Sequence, residues 1–433
     1  MHMARKNRKR RGRSRALSTI AGVATKSCPG ITDQPHSVVQ PSAATLLPRS
    51  VIEIIIDHLH DRPMDLRACS LVAKSWEARS QSHLFRKVQW DTRTVLNWCT
   101  HISPHPSGPA GYVIFFAVDS LLEREQLGPI KDYFTSFRNV TSLILRDLSF
   151  DDPLFDPKKV PAYFGHLKLG LKSLTLANAR GSCGRLLSFT SFFPHLEYLT
   201  ISCPGDLFPP DPTVNFQYRP LRGTLFLRGH THHTSLINLL SRSSPPQFHT
   251  VRLEHWGKMR IEDLNSLLKS CSNSLETLGL SACRGSADEW SSRLRPNFNL
   301  CPRLTEFRIE LQNIAQNPPS IINSLLTSPV VLSRITFVIH DNVKPESLFS
   351  YIKDWAETDI VIARFAAKLF CRDEGKRLLL TFKVARVLDL AQLVPYSVER
   401  GVQVVVERGD DEELALPTCA SCEAGNRSAS WGL

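Results

Sequence analysis

A short apolar pattern repeats along the chain at a nearly constant distance, and this repeat restricts the fold more than any other feature. Each copy reads apolar, two residues, apolar, one residue, apolar, as in LETLGL at 275–280; a loosened copy, LRGTLFL, stands at 221–227. The central apolar residues of the copies, 25 to 31 positions apart, are Leu143, Leu174, Leu199, Leu225, Val251, Leu278, Phe307 and Ile335. A fixed period of this length predicts a solenoid of stacked repeats.

Helical segments between the copies predict that each repeat is one strand followed by one helix. The stretches after Ser235, from Ile261 and from Ser320 carry apolar residues three and four positions apart, which is the spacing of one helix face. Strand and helix in alternation predict an α/β protein built as a βα solenoid.

The repeats resemble leucine-rich repeats, although they depart from that pattern in the turns. The family places Asn or Cys three residues after the last apolar strand position, and here only Cys283 fits. The corresponding residues elsewhere are Leu148, Ala179, Pro204, Trp256, Gln312 and His340. The resemblance therefore implies an irregular solenoid whose turns are closed by other backbone bonds.

The segments that flank the copies extend the solenoid to residues 112–408. The β-favouring run at 112–118 predicts a buried strand before the first copy. After Ile335 the period is lost. Helices are expected at 345–355 and 360–371, and strands at 377–384 and 402–407 are expected to pair and cap the open end. Residues 409–433 have the composition of a disordered tail.

An apolar helical cluster precedes the repeats, within residues 46–90. Ile52, Ile55, Ile56 and Leu59 have the spacing of one buried helix face. A second helix is expected from Asp65, as N-cap, to Trp76, and a third from Glu77 to Phe85. Val51 and Ile54 lie off the apolar stripe, and three short helices cannot bury two faces. Either the rest of the chain or another protein is expected to cover those two side chains.

This cluster resembles the F-box, in particular the F-box-like proteins that mushroom-forming fungi carry in large numbers. The resemblance implies docking to the Skp adaptor of a cullin–RING ubiquitin ligase; the alternative is an ordinary helical cap on the following domain. The residues expected to bind the adaptor are Leu47, Pro48, Val51, Ile52, Ile54, Ile55, Leu59, Leu66, Cys69, Val72 and Trp76.

The positive charge of the chain is concentrated in its first residues. The formal net charge is +12, and eight basic residues between positions 5 and 15 supply two thirds of it. Residues 1–45 are interpreted as a disordered basic arm and linker. A nuclear localisation signal is expected at Arg5, Lys6, Arg8, Lys9, Arg10 and Arg11. The rest is only mildly basic, so nucleic acid is an unlikely partner, and the protein is expected in the cytoplasm, the nucleus or both.

The sequence contains no recognisable catalytic motif. Phosphate-binding glycine loops, HExxH and GxSxG are all missing, so neither an enzyme nor a cofactor is expected. His230 and His232 lie without a nearby Cys or carboxylate, and Cys419 and Cys422 have no second ligand pair, so no metal site is predicted. Eleven scattered cysteines favour a reducing compartment, and no apolar run is long enough to span a membrane.

The residues that alternate with the buried ones on each strand are the candidate target-binding surface. Side chains point to opposite faces of a strand in turn, so these residues face away from the helices. They are Arg146, Phe226, Arg228, Arg252, Glu254, Arg308 and Glu310. Because Arg binds carboxylates and phosphates with two parallel hydrogen bonds, an acidic or phosphorylated protein segment is the expected ligand.

Three functions agree with these features. The first is a substrate receptor of a Skp–cullin–F-box ubiquitin ligase, with the adaptor on the F-box and a target protein on the solenoid. The second is an interaction scaffold outside the ligase system. The third is a nucleic-acid-associated protein that binds through its basic arm, and its binding would be sensitive to salt.

Overall fold

The computed structural model of the protein describes residues 47–102, 108–119, 134–203, 219–228, 234–242, 245–254, 260–281, 296–311, 319–339, 348–372, 377–384 and 390–408. The chain divides into two compact units, Met1–Leu47 and Pro48–Leu433. The described residues belong to the second unit, apart from Leu47. The arm and linker at 1–45 and the tail at 409–433 lie outside the described residues.

One parallel sheet of twelve strands runs through the described part of the chain, and its strand order is the order of the sequence. The eight copies of the repeat lie in strands β3 to β10, which confirms the α/β class. The strands are β1 (Lys87–Trp90), β2 (Phe115–Asp119), β3 (Ser142–Arg146), β4 (Ser173–Ala177), β5 (Tyr198–Ser202), β6 (Arg222–Arg228), β7 (Gln247–Glu254), β8 (Thr277–Ser281), β9 (Glu306–Leu311), β10 (Arg334–Ile339), β11 (Leu379–Val384) and β12 (Gln403–Arg408).

Helices connect most of the strands. The α-helices with described bounds are α1 (Arg49–His58), α2 (Pro63–Val72), α3 (Lys74–Leu84), α4 (Thr92–His101), α5 (Val160–Phe164), α6 (Cys183–Ser191), α7 (Thr234–Arg242), α8 (Ile261–Ser270), α9 (Pro319–Leu326), α10 (Leu348–Arg372) and α11 (Pro395–Glu399). Short 3-10 helices lie at Pro109–Tyr112, Pro153–Phe155, Gly165–Leu167, Phe298–Leu300 and Leu390–Leu393.

The central residues of the repeat stand directly opposite each other on neighbouring strands. Leu174, for example, pairs with Leu143 on one side and with Leu199 on the other. The complete row is Val88, Phe116, Leu143, Leu174, Leu199, Leu225, Val251, Leu278, Phe307, Ile335, Leu380 and Val404. The period seen in the sequence is therefore the distance between stacked rungs of one ladder.

The core lies between one face of the sheet and the helices. Leu143 and Leu145 on β3, like Val251 and Leu253 on β7, belong to one continuous apolar cluster together with side chains of the helices, such as Leu264 on α8. Burying each large aliphatic side chain is worth about 1.5–3 kcal/mol. The residues that alternate with these on each strand point to the opposite side of the sheet, which we call the outer face.

Backbone hydrogen bonds close the turns after β3 and β4, where the sequence lacks the Asn or Cys of the leucine-rich pattern. Asp147 and Asn178 both adopt the left-handed conformation, with φ 55°, which Asn and Asp tolerate better than other non-Gly residues. The Asp147 and Ala179 amides then donate to the carbonyls of Ala177 and Ser202, at 2.9 Å in both cases. Backbone hydrogen bonds between strands therefore continue into these turns, although the Asn or Cys side chain of the leucine-rich pattern is missing there.

The helices before the sheet differ from the expected bounds. The second helix begins at Pro63 and ends at Val72, because Ala73 is extended, with φ −161° and ψ 157°. Trp76 therefore belongs to α3, and Asp65 lies in the first turn of α2 and is not its cap. The last residues of the range 46–90 form β1, so the sheet begins earlier than the sequence predicted.

The end of the sheet also differs from the prediction. The strands expected to form a cap, β11 and β12, extend the sheet as two further parallel rungs, because β11 pairs with β10. The constant period ends after β10 because α10, a single helix of 25 residues where the sequence predicts two helices, lies between β10 and β11. No Gly or Pro stands between residues 355 and 360 to separate two helices.

Candidate functional site

Large apolar side chains are exposed on the first two helices. Half of the fourteen exposed large apolar residues in the described part of the chain lie in 47–72. The seven are Leu47 at 39%, Val51 at 39%, Ile54 at 58%, Ile55 at 37%, Met64 at 70%, Leu71 at 87% and Val72 at 49% exposure. Such a concentration of apolar surface is typical of a protein-binding site. We call these seven residues the apolar patch.

The opposite side of the same helices is buried. Ile52 and Ile56 of α1, Leu66 of α2 and Trp76 of α3 are at most 8% exposed. Of the residues expected to bind an adaptor, Ile52, Leu66 and Trp76 therefore pack inside the helix cluster instead of facing outward. Leu59 and Cys69 are intermediate in exposure, and Pro48 is exposed.

Val51 and Ile54 remain uncovered, so the rest of the described chain does not bury them. Ile55 was expected on the buried stripe but is partly exposed, because α1 turns that position toward solvent. Met64 and Leu71 were missed by the sequence analysis. The only indication in the sequence that these two side chains are exposed is that neither belongs to the apolar face of α2 defined by Leu66 and Cys69.

A cluster of three polar side chains joins α1 to α3. Arg79 donates two hydrogen bonds to Asp57, both 2.7 Å long, and His83 Nε2 lies 2.8 Å from Asp57 Oδ1. Hydrogen bonds from Arg79 first, and then from His83, hold the pKa of Asp57 well below its usual range. This cluster fixes the orientation of the helix that carries Val51 and Ile54.

Six of the seven residues predicted to bind a target come together on the outer face, on the adjacent strands β6 to β9. Phe226 stands opposite Arg252, and Arg252 and Arg308 flank Gly279 on the two neighbouring strands. Glu254 and Glu310 likewise flank Ser281. Arg146 lies three strands from β6, on β3, and is not part of this group.

Most of the charged groups in this group are already paired within the chain. Arg308 Nε contacts Glu310 Oε1 at 2.9 Å, and their side chains are 6% and 12% exposed. Arg228 Nε lies 3.1 Å from Glu254 Oε1 and its guanidinium lies 4.4 Å from the Phe226 ring centre. Arg146 likewise pairs with Asp119 at 2.9 Å. The outer face is thus less open to ligands at β7 to β9 than the sequence predicted.

Glu254 is the most perturbed carboxylate of the outer face. Its side chain is 8% exposed, and this burial raises its pKa to about 7; Arg228 lowers the pKa and Glu310 raises it further. Desolvation therefore outweighs the attraction of Arg228. Near neutral pH the carboxylate exchanges a proton, and the charge of the outer face changes with it.

Two small residues on β8 leave space for the arginine and glutamate side chains of the neighbouring strands β7 and β9. Neither residue was predicted from the sequence. A Cβ atom on Gly279 would lie 3.0 Å from Cγ of Arg252, so the Arg252 stem crosses the space above Gly279. Ser281, 7% exposed, stands between the two glutamates. The available signal was the absence of large side chains at positions 279 and 281, the first within LETLGL and the second directly after it.

No group of metal-ligating residues was found in the described ranges. The histidines at 230 and 232 and the cysteines at 419 and 422 lie outside those ranges. The seven described cysteines are free thiols. Burial raises the pKa of Cys183 to about 12 and that of Cys271 to about 11, so these thiols are protonated and unreactive at neutral pH.

None of the helices that the structure describes has the length and apolar character needed to cross a membrane. No protein-family profile matches the chain, and no curated protein sequence matches it. The apolar patch and the outer face of the sheet are the two surfaces of the described residues that bear on function.

Proposed function

We propose that the protein is the substrate-recognition subunit of a Skp–cullin–F-box ubiquitin ligase. In this proposal α1 to α3 form an F-box-like module that binds the adaptor, and the leucine-rich-repeat-like sheet binds the target protein. The observation that carries the proposal is the exposure of Val51 and Ile54, by 39% and 58%, on a helix whose opposite side carries the buried Ile52 and Ile56. Full burial of an aliphatic side chain is worth about 1.5–3 kcal/mol, and the exposed fraction of Val51 and Ile54 forgoes a corresponding part of this.

The chemistry of the apolar patch supports an adaptor as its ligand. The patch is carried by helices, and an apolar helix surface binds another protein by burying its side chains between helices. A charged rim is present as well, because Arg49 and Glu53 form an ion pair of 2.8 Å beside the patch residues of α1. An ordinary helical cap would instead direct these side chains toward the sheet.

The proposed mechanism is proximity. A chain that binds both an adaptor and a target raises the effective concentration of the target near the catalytic part of the ligase. The continuous ladder from β1 to β12 makes the sheet a stiff support, so the distance between the two bound proteins would be set by the fold. The protein itself performs no chemical step in this proposal.

Binding of a purified Skp-type adaptor to the full-length protein tests the first half of the proposal. Ile54→Asp together with Leu71→Asp places charges in the apolar patch at positions that are 58% and 87% exposed. We expect the affinity, measured by isothermal titration calorimetry, to fall by about tenfold or more. Since both side chains are exposed, the thermal unfolding temperature should change little.

A matched control removes an exposed apolar residue elsewhere. Leu169→Asp, at a position that is 71% exposed and just before β4, should leave adaptor binding unchanged. If the wild-type protein fails to bind the adaptor, or if the double variant binds as tightly as the wild type, the proposal is wrong. Leu47→Ala with Pro48→Ala gives a milder test at the start of α1.

For the target we propose an acidic or phosphorylated protein segment that binds the outer face. Of the arginines predicted to bind a target, Arg146 and Arg228 are partly accessible, with side-chain exposures of 39% and 35%. Ion pairs between exposed side chains are worth about 0–1 kcal/mol, so a phosphate or carboxylate of the target can displace Asp119, which is itself 25% exposed, from Arg146. At Arg228 the ligand would bind the exposed part of the guanidinium beside the buried Glu254. Arg308 is too deeply buried to take part.

Replacing the arginines by the neutral residue Gln tests this surface without placing a new negative charge beside Asp119 or Glu254. Arg146→Gln with Arg228→Gln should lower the amount of target protein that co-purifies with the complex, measured by quantitative mass spectrometry, while the adaptor remains bound. Arg303→Gln, an exposed residue in the turn before β9, is the control. Unchanged recovery of every co-purified protein would exclude the outer face as the target site.

A further inference from the structure

The two ends of the sheet are covered to different degrees. At the first end, Val88 and Trp90 of β1 are 7% and 1% exposed, because the ring of Trp98 on α4 packs 6.3 Å from that of Trp90. At the other end, Val404 and Val406 of β12 are only partly buried. Their partners on β11, Leu380 and Phe382, are fully buried in the same two rows.

The backbone of β12 is paired on one side only. Its residues pair with β11, and within the described residues no strand pairs with its other edge. The Gln403 amide donates to the Leu378 carbonyl at 3.1 Å, so residue 403 faces β11. Backbone groups alternate in direction along a strand, and the N–H and C=O groups of Val404 and Val406 therefore point to the free edge.

This edge has the features that favour pairing. It carries three consecutive valines, which have high strand propensity. It lacks the proline, the bulge and the central lysine with which proteins usually protect a free edge. The helix before it is held in place, because Asp359 of α10 accepts hydrogen bonds of 2.8 Å from the Tyr396 and Ser397 amides. Tyr396 and Val398 of that helix are exposed by 54% and 45%.

We infer that β12 pairs with β12 of a second copy of this chain, in an antiparallel and twofold symmetric arrangement. The sequence of the edge is complementary to itself when the twofold axis passes beside Val405. Val405 then faces Val405 of the second copy, Val404 faces Val406, and Gln403 faces Glu407. No like charges are opposed, and the Gln amide can donate to the Glu carboxylate.

The backbone geometry agrees with this alignment. In an antiparallel pair the residues directly opposite each other alternate between hydrogen-bonded and non-bonded positions. Val404 and Val406 direct their backbone groups to the free edge, and they stand opposite each other in this arrangement, so they form the bonded pairs. Val405, which faces β11, falls on the non-bonded position at the axis.

Within the described residues β1 also has an unpaired outer edge, but the side-chain packing at that end favours a closed dimer over an open fibre. Head-to-tail stacking would bring β12 of one copy against β1 of the next and continue without limit. The Trp90 and Trp98 rings, together with Phe85 at 5.8 Å from Trp98, already pack at that end. Pairing of two β12 edges is isologous and closes on itself. This inference does not depend on the proposed ligase function.

Sedimentation velocity of the full-length protein over a concentration series tests the dimer. Because the interface is about one strand wide, we expect a dissociation constant of about 1–100 µM. Val405→Lys places two ammonium groups face to face and should weaken the dimer by about tenfold or more, whereas the neutral, β-branched control Val405→Thr should keep it. Gln403→Lys, opposite Glu407, should strengthen it by about threefold.

Two results would overturn the inference. One is a wild-type protein that stays monomeric up to about 200 µM, beyond the range expected from the interface size. In that case, protection of the Val404 and Val406 amides in hydrogen exchange would show that another part of the same chain covers the edge. The other is a dimer whose dissociation constant is the same in the wild type, Val405→Lys and Gln403→Lys, which would place the interface elsewhere.

Discussion

Replacing Glu254 by Gln tests the electrostatic description of the outer face. The carboxylate is 8% exposed and lies 3.1 Å from Arg228, so its removal has two opposite effects. It abolishes the cost of a buried charge, and it removes the partner of Arg228. Arg228 retains 35% exposure, so water replaces that partner. The first effect should therefore be the larger one.

The magnitude follows from the pKa of Glu254. Burial raises this pKa from 4.5 to about 7, and each pKa unit corresponds to about 1.4 kcal/mol, so ionisation costs the folded state about 3 kcal/mol. The folded protein binds this proton more tightly than the unfolded chain does. Its contribution to stability is thus complete below pH 4.5 and is lost as the pH rises through about 7.

Urea unfolding of wild type and Glu254→Gln at pH 5, 6, 7 and 8 measures the effect. The two proteins should be about equally stable at pH 5, and the variant should be more stable by about 2–3 kcal/mol at pH 8. Glu276→Gln, at an exposed carboxylate before β8, is the control. A variant that is less stable than wild type by the same amount at every pH would refute the reasoning, because the ion pair would then outweigh the burial.

Two further predictions concern the backbone and the helix cluster. Gly223→Ala should reduce the unfolding free energy by about 3 kcal/mol or more, because φ is +86° and the new Cβ would lie 2.1 Å from the Glu197 carbonyl oxygen. Gly401→Ala, with φ +79° and open space around it, should cost only about 1–2 kcal/mol. Asp57→Asn should cost about 1 kcal/mol at pH 7, a figure reduced for solvent screening at 43% exposure. Since the pKa of Asp57 is lowered in the folded state, that contribution is present above about pH 4 and fades below it, which acid titration of both proteins would show.

The repeat could be predicted from the sequence because a strand has a fixed local geometry. Successive side chains alternate between two faces, so each buried strand produces the same apolar spacing wherever it occurs. The centres chosen from the pattern, such as Leu199 and Leu225, stand opposite each other in the sheet. The register of strand pairing shifts between Gly223 and Thr224. This irregularity falls within the loosened copy at 221–227, so the weakest copy of the sequence pattern marks the position where the pairing is irregular.

The last strands of the sheet could not be assigned to the repeat from the sequence, because a long helix between two strands interrupts the constant distance between copies. Leu380 stands opposite Ile335 although α10 separates them in the chain. Likewise, nothing local distinguishes β12 as a free edge, since QVVVE would suit a central strand equally well. Whether a strand has one neighbour or two is a property of the whole sheet.

By itself the sequence determined the α/β class and the side of each repeat strand that enters the core, since both follow from periods of two and of about 27 residues. Only the tertiary structure decided which outward residues remain accessible. Arg228 and Arg308 occupy strand positions that look alike in the sequence, yet one is 35% and the other 6% exposed. Accessibility depends on contacts such as that of Arg228 with Glu254, which lies a whole repeat away in the chain and meets Arg228 only when the sheet is formed.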